Sequence, residues 1–249
     1  ISKILGVGCE TFASPLNCRY GRFCSAFPDV DGAFGSLGSF FDFKPERGSF
    51  EMNPPFVPET LLKAAQHVEM LLDAAEANGY KLSFVVVVPA WKGVPMWEQL
   101  ETSKHKQGDT MIVAAKEHGF CDGAQHCRPP NERHRVSSYD TGVFFLQTTK
   151  GAARWKVSDG IREELRNAMK EAVGSAKNVK DLEKRYRRKP SQGEHNPKQF
   201  VADAKEKCET FERRDDAPLW GDARGDGNGE AGEEGEKKKR RRRRKREDE

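Results

Sequence analysis

Four consecutive residues, Asn53-Pro54-Pro55-Phe56, concentrate the chemistry of this chain. At average proline usage such a run arises at roughly one position in 10⁵, so coincidence is a poor account of it. Pro54 and Pro55 have a fixed φ and no N–H, and a proline holds the residue before it extended. Asn53 and Pro54 therefore stay out of helix and turn their carbonyls outward. The Asn53 side-chain oxygen and the Pro54 carbonyl make two acceptors for one planar amino group, and Phe56 offers a face on which a ring can stack. The amino group of a base or an amide is a poor nucleophile because its lone pair is delocalised. Two acceptors pulling on its protons favour the tetrahedral geometry that a methyl acceptor needs. No metal or covalent intermediate is required, because an activated sulfonium donor leaves the protein only position and electrostatics to supply. The competing reading of the same residues is a rigid strand-to-helix turn with a core phenylalanine.

The flanks supply the elements that must hold this loop. Ser49 to Met52 reads as a short strand with Phe50 and Met52 on one face, and Pro58-Glu59-Thr60 as a helix start with proline in the first turn. Leu61, Leu62, Ala65, Val68, Leu71, Leu72 and Ala75 recur at helical spacing until Asn78-Gly79. Leu82 to Val88 reads as a strand buried on both faces, ending at Pro89-Ala90-Trp91. Strand, helix and strand make a right-handed parallel unit, with ligands expected beyond the carboxyl ends of its strands. The Asn53 loop and the Pro89 loop then share one edge.

An [Asn or Asp]-Pro-Pro-aromatic loop after a strand resembles that of amino-methyltransferases using S-adenosylmethionine. The blocks Cys24-Ser25-Ala26-Phe27-Pro28-Asp29-Val30-Asp31-Gly32-Ala33-Phe34-Gly35-Ser36, Asp42-Phe43 and Gly48-Ser49-Phe50-Glu51 narrow the likeness. So do Leu82-Ser83-Phe84-Val85, Pro89 to Trp91, Gln125-His126 and Val143-Phe144-Phe145-Leu146-Gln147. Together they resemble the phosphorylated-CTD-interacting-factor family over residues 17–156. The resemblance implies a Rossmann-like α/β methyltransferase core, S-adenosyl-L-methionine as cofactor, and methylation of the N6 amine of the 2'-O-methyladenosine beside the cap of messenger RNA. Carried over by position, Asn53 and Pro54, with Pro55 stiffening the loop, hold the amine and Phe56 stacks on adenine. In that family a tryptophan-containing module before the catalytic region reads the phosphorylated tail of RNA polymerase II, and a helical region helps form the RNA groove. Neither lies in this chain, so the polymerase is expected as a partner only through an upstream module.

Residues 16–48 admit two readings. Phe34-Gly35-Ser36-Leu37-Gly38 suits a glycine loop beside a nucleotide, with Asp42 on a ribose hydroxyl, and equally a plain hairpin with an ordinary surface carboxylate. Phe40 to Phe43 is expected as a strand near Phe50. Only about 15 residues separate Gly38 from Asn53, too few for the usual methyltransferase path, so the cofactor strand is expected upstream of Ile1 or in a permuted sheet. Trp91 is a second stacking surface or a seal on the sheet end. Lys92, Lys104, His105 and Lys106 meet RNA phosphates or form a solvated face. His126 is a substrate contact or a structural residue. Residues 128–135 read as a basic substrate-side loop that departs from the family in its prolines. Asp109 to Ala114 and Gly142 to Gln147 read as further strands.

Composition divides the chain. Residues 1–157 carry 17 Lys+Arg and 17 Asp+Glu; the rest carry 43 − 17 = 26 and 39 − 17 = 22, hence the whole net charge of +4. The expected organisation is a catalytic core over 1–157, truncated at its amino end, a helical extension over 158–189 broken at Gly174, and a disordered charged tail over 190–249. Residues 237–246 are ten consecutive basic residues, read as a nuclear-localisation or RNA-anchoring segment, so the nucleus is the expected compartment. No secretory pattern or membrane span is present in the sequence given. The six cysteines form no C-x-x-C, and Cys121, His126 and Cys127 are too irregularly spaced for a metal site, so thiols and no metal are expected. Two alternatives stand beside the cap reading: methylation of another amine, in internal RNA, DNA adenine or a glutamine amide, and a catalytically silent RNA-binding protein of the same fold.

Overall fold

The structure, a computed structural model, describes residues 1–121 and 134–171, all within the first of two units, Ile1–Asp215. Two short helices, α1 (Ser2–Leu5) and α2 (Pro28–Asp31), precede the sheet. β1 (Gly48–Met52) and β2 (Leu82–Pro89) run parallel, Phe50 beside Phe84 and Met52 beside Val86, with α3 (Pro58–Ala77) between them in sequence. The sequence supplies the local causes. Val57 is extended, as a residue before proline tends to be, and Pro58 sits where a missing N–H costs nothing. Gly79, at φ 65°, turns the chain out of the helix toward β2.

After β2 come α4 (Pro95–Thr102), β3 (Met111–Val113) and a two-stranded ribbon of β4 (Gly119–Cys121) and β5 (His134–Val136). β6 (Thr141–Gln147) then runs antiparallel between β2 and β3, giving the order β1-β2-β6-β3. The helices α5 (Thr149–Arg154) and α6 (Asp159–Glu171) follow.

Every residue of β2 and β6 is buried, because both faces of the sheet are covered. On one face Phe50, Met52, Phe84, Val86, Val88, Phe144 and Leu146 meet Leu61, Leu62, Val68 and Leu72 of α3 and Met96, Trp97 and Leu100 of α4. On the other, Val85, Val87, Val143 and Phe145 meet Leu5, Val7 and the apolar positions Ile161, Leu165 and Met169 of α6. Thr148 joins the end of β6 to the start of β2. Its hydroxyl oxygen accepts from the N–H of Leu82 at 3.1 Å and of Gly151 at 3.1 Å, and the hydroxyl donates to the Tyr80 carbonyl at 2.8 Å.

Residues before β1 extend the sheet by single pairs. Glu10 bridges Glu51 of β1, Phe23 bridges Glu10, and Ser36 bridges Phe23, each in parallel. The backbone bonds Thr11 N to Glu51 O (2.9 Å), Cys24 N to Glu10 O (2.8 Å) and Leu37 N to Phe23 O (2.8 Å) hold them. Strand-like positions thus occur between Glu10 and Leu37, too short to announce themselves as apolar runs. Residues 40–43 are not a strand. They form a turn in which the Ser39 carbonyl accepts the N–H groups of Asp42 and Phe43. Phe43 still packs edge-on against Phe50, with ring centres 5.6 Å apart. The helical pattern from Ile161 onward is realised as α6; Gly174, the tail and the basic run lie outside the described residues.

Candidate active site

The loop 53–56 leaves the carboxyl end of β1, as its prolines require. The Val57 N–H bonds to the Pro55 carbonyl at 2.7 Å, a tight turn that fixes Phe56 between them. Asn53 and Phe56 are half-buried, Pro54 is buried and Pro55 exposed. Among the described residues the Asn53 carboxamide makes no hydrogen bond, so its oxygen is available to an incoming donor.

Phe56 is braced by rings from distant elements. Its ring centre lies 6.3 Å from Trp91, at 74° between planes, and 5.5 Å from Phe120 of β4, at 87°. Trp91 is only 5% exposed and meets Tyr139 at 6.2 Å and 90°. It therefore seals the sheet end and supports Phe56, with no open face of its own. The loop before β6 is tied to the loop after β2 where the Asp140 carbonyl accepts the Ala90 N–H at 2.8 Å. The Asp140 carboxylate accepts the Ala115 N–H at 2.8 Å, adding the segment after β3. Four loops thus converge on the edge that carries Asn53.

His118, fully buried, stands behind this wall. Its Nδ1 lies 2.9 Å from the Ala114 carbonyl and its Nε2 2.7 Å from the Thr141 hydroxyl. A carbonyl can only accept, so Nδ1 carries the proton and Thr141 donates to Nε2. Burial holds the ring below the usual imidazole range, and the neutral tautomer satisfies both partners. The His118 ring meets Phe120 at 5.5 Å and 83°.

The other candidate residues fall elsewhere. Phe34 closes a single 3₁₀ turn, Gly32–Phe34, and is 65% exposed; Asp42 is exposed on the turn after Ser39. Gly35 has a packing reason for its identity: at φ 103°, a β-carbon there would stand 2.5 Å from the Gly21 carbonyl oxygen. No hydrogen bond or ring contact links Phe34, Gly35 or Asp42 to residues 53–56 among the described residues. Of the proposed phosphate contacts, Lys92 is exposed, Lys106 pairs with Glu101, and Lys104 pairs with Asp73 at 2.8 Å. His105 is buried with Nε2 2.7 Å from the same Asp73 oxygen. Bonds from Lys104 and then His105 hold the Asp73 carboxyl below its usual range. Glu69, Asp73 and His105 bring ligand-type atoms within 4.8 Å of one another, but the Lys104 ammonium already occupies Asp73. His126, Cys127 and the basic loop over 128–133 lie outside the described residues.

Phe120, Tyr139 and His118 were missed in the sequence. Their only signal is position, since each lies within a few residues of the ends of β3 or β6 that the antiparallel strand brings to this edge.

Comparison with known proteins agrees with the loop. The family described as "Phosphorylated CTD interacting factor 1 WW domain" matches residues 1–123. The described residues of that range, 1–121, contribute β1, β2 and β3 to the mixed sheet, and their two tryptophans, Trp91 and Trp97, are 5% and 6% exposed, so neither presents a face for a proline-rich peptide. The chain is similar to the protein named mRNA (2'-O-methyladenosine-N(6)-)-methyltransferase from Mus musculus, 40% identical over 174 residues, or 69% of this chain and 24% of the relative. The Homo sapiens protein of the same name matches with the same identity and coverage. The chain therefore spans about a quarter of the length of these relatives. No helix among the described residues is long and apolar enough to cross a membrane. With its acceptor loop, flanking blocks and these matches together, the chain belongs to the phosphorylated-CTD-interacting-factor family.

Proposed function

We propose that this chain carries the acceptor site of an S-adenosylmethionine-dependent methyltransferase acting on the N6 amine of the cap-adjacent 2'-O-methyladenosine of messenger RNA. The observation that carries the reading is the Asn53 loop at the carboxyl end of β1, where the carboxamide makes no hydrogen bond among the described residues and stands beside a braced Phe56. The names of the two relatives favour the cap among adenine substrates.

The strand order supports a Rossmann-like reading. Counting the single bridges, the positions run Ser36, Phe23, Glu10, β1, β2, β6, β3, parallel as far as β2. The chain steps outward from Glu10 and returns beside it as β1, a reversal at which doubly wound sheets bind their ligands. That crevice is bordered by Thr11, Phe12, Ala13 and Ser14 on one side and Asn53 on the other. It moves the expected cofactor contacts from Phe34, Gly35 and Asp42 to residues 11–14. Asn53, whose carboxamide makes no hydrogen bond among the described residues, leaves that edge open to such a group. When bound, S-adenosylmethionine supplies a sulfonium methyl whose S–C bond breaks as the N–C bond forms, the amine then losing a proton to water. Asn53 and Pro54 hold the amine by its protons, Phe56 fixes the plane of the base, and Trp91 keeps water from behind it. Residues 237–246 suit nuclear residence.

The test uses the protein extended to the length of its relatives, labelled S-adenosylmethionine, and two RNAs differing only in a cap on the initial adenosine. Transfer to the capped RNA alone is expected, and Asn53→Ala should lower kcat by about 10²-fold or more with the melting temperature unchanged. Equal transfer to both RNAs would move the substrate to internal adenosine. Transfer to neither would leave DNA, a protein amide or silent binding.

A further inference from the structure

The acceptor loop fixes its own backbone through Pro54 and Pro55, but no proline fixes the ring of Phe56. A phenylalanine has two free torsions, and stacking on a base needs the ring plane held. That plane is set by Trp91 and Phe120, whose rings meet it at 74° and 87°. Trp91 is anchored by its burial at the end of β2. Phe120 belongs to a three-residue strand that pairs, among the described residues, with β5 alone, an element too small to be rigid by itself.

His118 joins that ribbon to the main sheet. Its Nδ1–H reaches the Ala114 carbonyl just beyond β3, and its Nε2 accepts from Thr141, the first residue of β6. Its carbonyl accepts the Ser137 N–H at 2.8 Å, and Ser137 in turn accepts the Lys116 N–H through its own carbonyl at 2.9 Å. The ring, 0% exposed, meets Phe120 nearly at right angles. A side chain serving the core alone would need neither polar contact. Here the two nitrogens are committed to the segment just after β3 and to the first residue of β6, and the ring meets the residue that braces Phe56.

We propose that His118 is a positioning residue for the acceptor site, locking Phe120 and through it the ring plane of Phe56 against the ends of β3 and β6. This rests on the methyltransferase reading for its kinetic consequence, while its structural consequence is independent of the reaction. His118 touches no substrate; it acts through Phe120.

The experiment is a double-mutant cycle in the complete protein with a separate readout of the ring. His118→Asn retains a donor for Ala114 but loses the ring and the Thr141 bond. It should lower kcat for methyl transfer about ten- to a hundredfold, with KM for S-adenosylmethionine within about twofold. Phe120→Ala should do the same, and His118→Asn with Phe120→Ala should be no slower than Phe120→Ala alone within about twofold, because both remove one device. Multiplying effects would overturn the proposal. Ring resonances of ¹³C-labelled phenylalanine, with Phe56 assigned by Phe56→Leu, read the positioning directly. The Phe56 signals should shift and broaden in His118→Asn whether or not any RNA is methylated. Unmoved Phe56 signals in a folded variant would overturn the proposal, whereas an inactive parent with displaced Phe56 signals would leave it standing and count against the methyltransferase reading. If His118→Asn does not fold, Thr141→Val, which removes only the donor at Nε2, must displace the same signals; unmoved signals there overturn the proposal equally.

Discussion

Replacing Glu51 by glutamine should make the protein more stable in alkaline solution and leave it unchanged in acid. Glu51 lies in β1 beside Glu10, its bridge partner. Burial, and then the neighbouring Glu10 charge, push its carboxyl from an ordinary 4.5 to about 7. A carboxyl whose pKa is raised by folding binds its proton more tightly in the folded chain. Its contribution is therefore intact below about pH 4.5 and lost as pH rises through about 7. At about 1.36 kcal/mol per pKa unit the full loss is roughly 3 kcal/mol; the half-buried side chain keeps some solvent, so about 1 to 3 kcal/mol is expected at pH 8. Glutamine has the shape of the protonated acid and cannot ionise. The assay is urea denaturation of parent and Glu51→Gln from pH 4 to pH 8.5, taking the difference between them at each pH. That difference should grow from near zero to its plateau across pH 5 to 8. A difference that does not vary with pH, or a variant less stable at pH 8, would refute the reasoning.

Gly151→Ala should destabilise the fold by more than about 2 kcal/mol in the same denaturation assay, since its β-carbon would stand 2.4 Å from the Leu82 carbonyl oxygen, a backbone atom that cannot swing aside. Phe56→Leu should keep the loop but lose the stacking face, raising KM for RNA more than KM for S-adenosylmethionine in steady-state kinetics. Deleting residues 237–246 should leave methyl transfer to a short capped RNA unchanged in vitro while lowering nuclear fluorescence of a tagged protein; loss of activity would assign the basic run to substrate binding instead.

The unit from β1 to β2 was legible because its punctuation is covalent. Pro54, Pro55 and Pro58 restrict the backbone whatever surrounds them, Gly79 permits the left-handed turn after α3, and the apolar run from Leu82 to Val88 can be satisfied only between two covered faces. The pairs at Glu10, Phe23 and Ser36 were illegible because a one-residue bridge leaves no periodicity to read. The aromatic run Phe40 to Phe43 misled for the opposite reason. Its rings turn to different elements, Phe40 and Phe41 meeting His67 of α3 at 4.9 and 6.1 Å and Phe43 meeting Phe50 of β1, and the Ser39 carbonyl closes the turn between them. In the candidate site, Asn53 and Phe56 were readable from type and spacing. Phe120, Tyr139 and His118 were not, since their approach depends on the register of β6 against β3 and β2.

Because β6 runs against β2, its amino end rather than its carboxyl end reaches the Asn53 edge. The floor of the site is thus drawn from loops that leave strands, and its wall from a loop that enters one. Changes in the segment between β3 and β6 therefore alter that wall, and with it the support Phe120 gives Phe56, without shifting the register of β1 and β2.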